Sequence, residues 1–144
     1  VTKKGVLVID DYAHNPDKIH AILKTTQNIS GKVFILFQPH GFGPTKFMFH
    51  ELVNVFKHSV RKSDFLYILP IYYAGGTVNS DISSSDITRE LKDSKGTVHI
   101  LEKRDEVIQD IVLKAQKGDV VLSMGARDPS LPLFARDIAR AIDL

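Results

Sequence analysis

The chain has 144 residues, 43% hydrophobic and 25% charged, the balance of one globular domain with a sizeable core. Its net charge of +2 sets 19 scattered Lys and Arg against 17 Asp and Glu, which excludes the basic tract that nucleic-acid binding needs. There is no cysteine, so disulfide and thiol chemistry are excluded and a reducing cytoplasm is expected; no apolar run has the length of a membrane span or the layout of a signal peptide.

The chain opens on Val rather than Met and enters its first strand almost at once, as expected of a domain cut from a longer protein. That strand is predicted over Gly5–Ile9. It runs into Asp10-Asp11-Tyr12-Ala13-His14-Asn15-Pro16, where Asn15 is placed to cap a helix and Pro16 to sit in its first turn. Ile19, Ile22 and Leu23 then repeat at helical spacing. A second strand, Lys32–Phe37, leads into Gln38-Pro39-His40-Gly41-Phe42-Gly43-Pro44-Thr45, with Thr45 positioned to cap the helix marked by Phe49, Leu52, Val53, Phe56 and Val60. The third strand, Phe65–Leu69, is followed by an irregular stretch from Pro70 to Ser85 that contains Tyr72-Tyr73-Ala74-Gly75-Gly76 and is long for a strand-to-helix loop. Serines precede a short helix over Ser84–Lys92. A fourth strand, Thr97–Leu101, precedes the helical stripe Val107, Ile108, Ile111, Val112 and Ala115. The fifth strand, Asp119–Ser123, ends in a loop through Gly125, Arg127 and Asp128 to Ser130, placed to cap the last helix, whose stripe is Phe134, Ile138, Ala141 and Ile142. Five strands alternating with five helices predict an α/β sandwich with a mostly parallel sheet.

In such a sheet the loops after the strands share one edge, where ligands bind. A carboxylate at residue 10 or 11 can accept hydrogen bonds from the hydroxyls of a ribose, or it can simply set the geometry of a turn. His40 sits either beside an anion cradle made by the backbone of Gly41 and Gly43, or as a strut in a rigid turn. Tyr72 and Tyr73 either line a pocket or bury against the sheet, the commoner fate of Tyr. Arg127 offers a fork for a carboxylate, or pairs with Asp128 at the surface. Missing motifs narrow the chemistry. There is no G-x-x-x-x-G-K-[ST] phosphate loop, no G-x-G-x-x-G fingerprint, no G-x-S-x-G nucleophile elbow and no dense His/Asp metal set. Taken on residues alone, this is a ligand-binding α/β domain suited to form part of an active site.

The order of Asp11-Tyr12-Ala13-His14-Asn15-Pro16-Asp17, Phe37-Gln38-Pro39-His40, Tyr73-Ala74-Gly75 and Gly118-Asp119 leading to Met124-Gly125-Ala126 resembles the C-terminal domain of the Mur ligases across essentially the whole chain. The first motif marks the superfamily; Phe37-Gln38-Pro39-His40 is more specific and points to the alanine-adding and murein-peptide-adding branch. The resemblance implies a three-layer Rossmann-like domain with five or six strands and helices on both faces. It also implies an ATP-dependent amide ligase of peptidoglycan precursor synthesis or recycling, acting on UDP-N-acetylmuramate and an amino acid or peptide. The UDP-sugar domain and the central domain, which would hold the phosphate loop and most of the Mg²⁺ site, would lie outside this chain. Position by position, it implies that Asp11, Tyr12, His14 and Asn15 contact the nucleotide. His14, His40, Gly125 and Arg127 would line the amino-acid side, with no catalytic residue and no metal ligand in this domain alone. The family pattern places Arg where this chain has Gly41 and Pro44, and Gly where it has Arg127. Arg127 is therefore expected to replace a lost cation from the opposite wall. A nucleotide- or metabolite-binding module without catalysis, and a ligase repurposed for another acceptor, are the alternative readings.

Overall fold

Side-chain alternation along Val33–Gln38 sorts the interior into two layers. Val33, Ile35 and Phe37 face one side, while Phe34 and Leu36 face the other, all buried. This strand is β2 of a computed structural model that describes residues 1–73, 75 and 81–144. The remaining strands are β1 (Leu7–Asp11), β3 (Phe65–Ile68), β4 (Thr97–His99) and β5 (Val120–Gly125). The helices are α1 (Pro16–Thr26), α2 (Phe42–Phe47), α3 (Phe49–Ser59), α4 (Ser84–Glu90), α5 (Arg104–Lys114) and α6 (Leu131–Asp143). Every strand pair is parallel, in the order β1-β5-β2-β3-β4.

The two layers divide the helices between them. Ile19 and Leu23 of α1, Leu52 and Phe56 of α3, and Ile87 of α4 pack with Val33, Leu66 and Leu122 on one face. Val107 and Ile111 of α5, with Phe134, Ile138 and Ile142 of α6, pack with Phe34, Tyr67 and Val121 on the other. The chain crosses the sheet from β1 to β4 with its helices on the first face. It then returns through α5 on the second face to insert β5 between β1 and β2, the change of face that right-handed crossovers require when direction reverses. The reversal leaves a switch point at the carboxyl ends of β5 and β2, where Gly125 lies opposite Gln38.

Several boundaries depart from the sequence expectation. β1 runs to Asp11, because Asp10 and Asp11 pair in register with Ser123 and Met124. The alternation of a strand therefore puts the two carboxylates on opposite faces of the sheet. β1 is an edge strand, so it is not covered as the central strands are, and Leu7 is exposed. β5 likewise extends to Gly125, while β4 stops at His99. Residues 42 to 47 form the additional short helix α2, with Pro44 in its first turn, where the missing N–H has no partner to lose. Thr45 does not cap α3; it is buried within α2 and donates to Gly41 O at 2.7 Å. Val112, assigned to the buried stripe of α5, is exposed.

Polar groups at the amino ends of the strands are consumed by the fold. Asp64, fully buried, accepts from Val33 N, Arg61 N and Arg61 Nη2, while the same guanidinium donates to Gly31 O. Asp119 accepts from Lys32 N and Gln116 N, both at 2.8 Å, and pairs with Lys32 Nζ at 3.0 Å. The opposite edge carries the loops that hold the candidate residues.

Candidate functional site

Asp11 closes β1, and its Oδ1 accepts from Ala13 N at 2.8 Å, which turns the chain towards α1. Asn15 has extended backbone (φ −121°, ψ 163°) and its Oδ1 accepts from Lys18 N at 2.9 Å, with Pro16 opening the helix. Its carbonyl oxygen is thus engaged as a cap. Between these anchors Tyr12 stands 68% exposed beside His14, the rings meeting edge to face with centroids 5.9 Å apart. His14 Nδ1 lies 3.0 Å from Tyr12 O. A carbonyl only accepts, so Nδ1 carries the proton and Nε2 is left for another partner.

His40 leaves the end of β2 and faces His14, ring centroids 5.5 Å apart. A parallel bridge to Tyr72 holds it, with Gly41 N donating to Tyr72 O at 2.9 Å and Tyr72 N donating to Pro39 O at 2.8 Å. Gly41, with φ 73°, lets the chain turn sharply after the bridge. Tyr72 thus has the structural role, while Tyr73 is half exposed with its ring 6.2 Å from that of Phe42. Ala74 and Gly76 of the same motif lie outside the described residues. Burial, reinforced by the neighbouring His14 and Arg127, holds the His40 imidazole below its ordinary range. Its Nδ1 is buried with no hydrogen-bond partner among the described residues.

The third wall follows β5. Gly125 is buried in the strand rather than displayed in a loop, and a Cβ there would lie 2.7 Å from Leu131 Cδ2 and 3.2 Å from Gln38 O. Its smallness thus serves the close packing of β5, β2 and α6. Arg127 is exposed and has a left-handed backbone (φ 73°), the one non-glycine residue with positive φ among those described. Arg127 does not pair with Asp128. Asp128 instead receives Arg104 Nη2 at 2.7 Å, and its Oδ1 accepts from Ser130 N at 2.8 Å and Ser130 Oγ at 2.6 Å. The start of α6 is capped in this way by Asp128 and not by the Ser130 side chain. Arg104 also donates to Ser130 Oγ at 2.8 Å and lies over the Phe134 ring at 5.0 Å. The sequence pointed to none of this for Arg104, which sits 24 residues from its carboxylate partner. Burial with the charge of Asp11 holds Asp10 above the usual carboxylate range, partly offset by Arg136 on the α6 face.

The site therefore joins an exposed Tyr, two facing imidazoles, a strand-end carboxylate and a guanidinium with no ion pair among the described residues, across the ends of β1, β2 and β5. That set would suit a small ligand with anionic and aminated groups, and it lies at the switch point of an α/β domain of the Rossmann-like class, where such sheets commonly bind ligands. The chain belongs to the Mur ligase family: the family described as "Mur ligase, glutamate ligase domain" matches residues 1–127. It is 34% identical over 142 residues to the UDP-N-acetylmuramate–L-alanine ligase of Rickettsia prowazekii (strain Madrid E), an alignment covering 94% of this chain and 28% of that protein. The structure superposes on a murein peptide ligase from Psychrobacter arcticus 273-4 with TM-score 0.69 at 17% identity, over 97% of this chain and 28% of that one. It also matches the UDP-N-acetylmuramate–alanine ligase of Thermotoga maritima with TM-score 0.65 at 21% identity, over 96% and 27%. The chain thus spans little more than a quarter of these relatives. No helix among the described residues is long and apolar enough to cross a membrane.

Proposed function

We propose that this chain is the C-terminal, substrate-gathering domain of an ATP-dependent amide ligase. In that reading the ligase joins an amino acid or peptide to the carboxylate of UDP-N-acetylmuramate, with further domains in cis supplying the phosphate loop, the UDP-sugar site and cytoplasmic ATP with Mg²⁺. The single observation that carries the reading is the meeting of His14, His40 and Arg127 at the ends of β1, β2 and β5, beside Asp11 and Tyr12. Asp11 Oδ1 is committed to Ala13 N, but a carboxylate has further lone pairs for ribose hydroxyls, and the exposed Tyr12 ring and the Asn15 amide nitrogen border the same turn. Among the described residues no group of three or more His, Asp or Glu has the geometry of a metal site, and in this reading the central domain would hold the Mg²⁺.

The reaction has two displacements. The acceptor carboxylate attacks the γ-phosphorus of ATP, a P–O bond forms, and the bond to ADP breaks. The amine nitrogen then attacks the acyl carbon, a C–N bond forms, inorganic phosphate leaves, and nitrogen loses a proton. The part of this domain is positioning and electrostatic complementarity. A neutral His40 imidazole leaves the incoming ammonium unopposed, where an imidazolium would repel it. His14, between nucleotide turn and His40, borders both substrates. Gly125 acts through shape, by bringing the turn that carries Arg127 against the end of β2.

Phosphate release by the full-length protein tests this reading. With Mg-ATP and UDP-N-acetylmuramate present, L-Ala, Gly, L-Ser or murein tripeptide is supplied in turn, and one of them is expected to drive turnover. Absence of turnover with all four would move the domain to another acceptor or to a binding role.

A further inference from the structure

We infer that His99, Asp110 and Lys114 form a pH-sensitive latch, which fastens the edge strand β4 to α5 at neutral pH and loosens when His99 takes up a proton. The cluster lies outside the candidate site and owes nothing to the ligase reading.

β4 has little else to hold it. It is three residues long, ends the sheet at the edge away from β1, and pairs with one strand, Thr97, Val98 and His99 lying beside Phe65, Leu66 and Tyr67 of β3. In so short a strand the side-chain contacts matter as much as the ladder. The His99 ring stacks on Tyr67 with centroids 5.0 Å apart and on Phe65 at 6.0 Å. Over that stack α5 supplies two opposite charges. Asp110 Oδ2 lies 3.4 Å from His99 Nε2, and Lys114 Nζ lies 3.4 Å from the same nitrogen. Asp110 also accepts from Lys114 Nζ through Oδ1, and from the Tyr67 hydroxyl at 2.6 Å through Oδ2. Lys114 sits over the Phe65 ring at 5.0 Å. The titratable groups that face His99 are thus Tyr67 from β3, and Asp110 and Lys114 from α5.

One nitrogen cannot serve both neighbours, because an ammonium only donates and a carboxylate only accepts. With Nε2 bare, the neutral ring accepts from Lys114, and Lys114, Asp110 and His99 tie α5 to β4. With Nε2 protonated, the ring can donate only to Asp110, whose Oδ2 already receives Tyr67, and it sets a second positive charge 3.4 Å from Lys114. The proton therefore exchanges one partner for the other and brings a like-charge contact with it. Burial, against the pull of Asp110 and with the charge of Lys114, holds the imidazole below its ordinary range. Burial works against Asp110 as well, but its bonds from Lys114 and Tyr67 hold it below the usual carboxylate range, so it stays charged while His99 titrates. The closed strand thus prefers the neutral ring: the latch is fastened above the unfolded His value of about 6.5 and loosens as pH falls below it. β4 leads into Ile100, Leu101 and Glu102, which with Ile68, Pro70 and Ser84 line a cavity of about 240 Å³, so the latch also steadies one wall of that cavity.

The test follows backbone amide exchange in the 144-residue chain by NMR between pH 7.5 and 5.5, corrected for the intrinsic rate. The probe is the Thr97 amide, which donates to Asp64 O at 3.0 Å, read against amides of the central strand β2 so that global unfolding cancels. Its relative protection is expected to fall by at least about threefold and at most about tenfold, the most that one group with an unfolded value of about 6.5 supplies over this range. His99→Phe keeps the stack without the proton and should flatten the profile. Lys114→Met keeps the stem without the repelled cation, so the His99 ring signals should titrate at higher pH than in the wild type. A wild-type fall below about threefold, or the same fall in His99→Phe, overturns the inference. So does a His99 ring that titrates no higher in Lys114→Met. Should His99→Phe fail to fold, the wild-type profile and the ring titration in Lys114→Met still decide between the outcomes.

Discussion

His40 and Gly125 show how single residues at this edge answer to packing and to chemistry at once. Burial keeps the His40 imidazole below its ordinary range, and His99 is lowered too, by burial and by Lys114 against the opposing pull of Asp110. Both depressed values make the unfolded chain the better proton acceptor. Their stability is full above the unfolded His value of about 6.5 and is lost as pH falls below it towards the folded values. Urea unfolding is therefore expected to show declining stability between pH 7.5 and 5.5, with a shallower decline in His40→Asn; an identical slope in the variant would remove His40 as a source. Gly125 makes a steric prediction. With Leu131 Cδ2 at 2.7 Å and Gln38 O at 3.2 Å from any added Cβ, Gly125→Ala should cost about 1–3 kcal/mol, read as a lower urea midpoint at unchanged slope. The sequence marked His14, His40 and Arg127 as polar residues of unusual type at strand ends. It could not tell that Asp128 was already spoken for, because that partner arrives from α5.

At the scale of elements, the two ends of the sheet do different work. The amino ends of β2 and β3 are locked by Asp64, which accepts from the Val33 and Arg61 backbones and holds the half-buried Arg61 guanidinium at 2.7 Å. Asp64→Ala should cost about 3–5 kcal/mol, since it strands that cation among backbone groups; a loss under about 1 kcal/mol in chemical denaturation would show that water replaces the carboxylate. At the other edge of the sheet, β4 is only three residues long and leans on α5. His99 stacks on Tyr67 with centroids 5.0 Å apart, and Tyr67 donates to Asp110 Oδ2 at 2.6 Å. Burial and the Asp110 carboxylate push the Tyr67 phenol well above its ordinary value, so it remains a donor. Element type was legible from periodicity everywhere but at α2. Strand ends were not: β1 and β5 each run two residues past their apolar stretch, because backbone pairing with a neighbour, and not side-chain character, sets where a strand stops. Similarly, α2 carries too few apolar positions for a periodic signal to emerge from Gly43 and Pro44.

The molecule as a whole has a core on both faces of its sheet and, in the proposed reading, carries only part of a ligase. It holds the switch-point crevice, yet its sequence contains no phosphate loop, and it spans 28% of the Rickettsia prowazekii relative. The purified 144-residue chain is therefore expected to fold cooperatively and to release no phosphate above background from Mg-ATP, UDP-N-acetylmuramate and the panel of amines. Amide formation by this chain alone would mean that the remaining machinery is dispensable.

Composition and periodicity by themselves determined the class of fold, the identity of most core residues and the edge of the sheet that gathers the strand-end loops. These follow from local rules: apolar spacing selects helix or strand, and parallel strands send their loops to one end. The insertion of β5 between β1 and β2, the facing of His14 and His40, and the capture of Asp128 by Arg104 were decided only by the tertiary structure. Each joins residues far apart in the chain, and such a pairing is chosen by the packing of whole layers, which no local window of sequence contains.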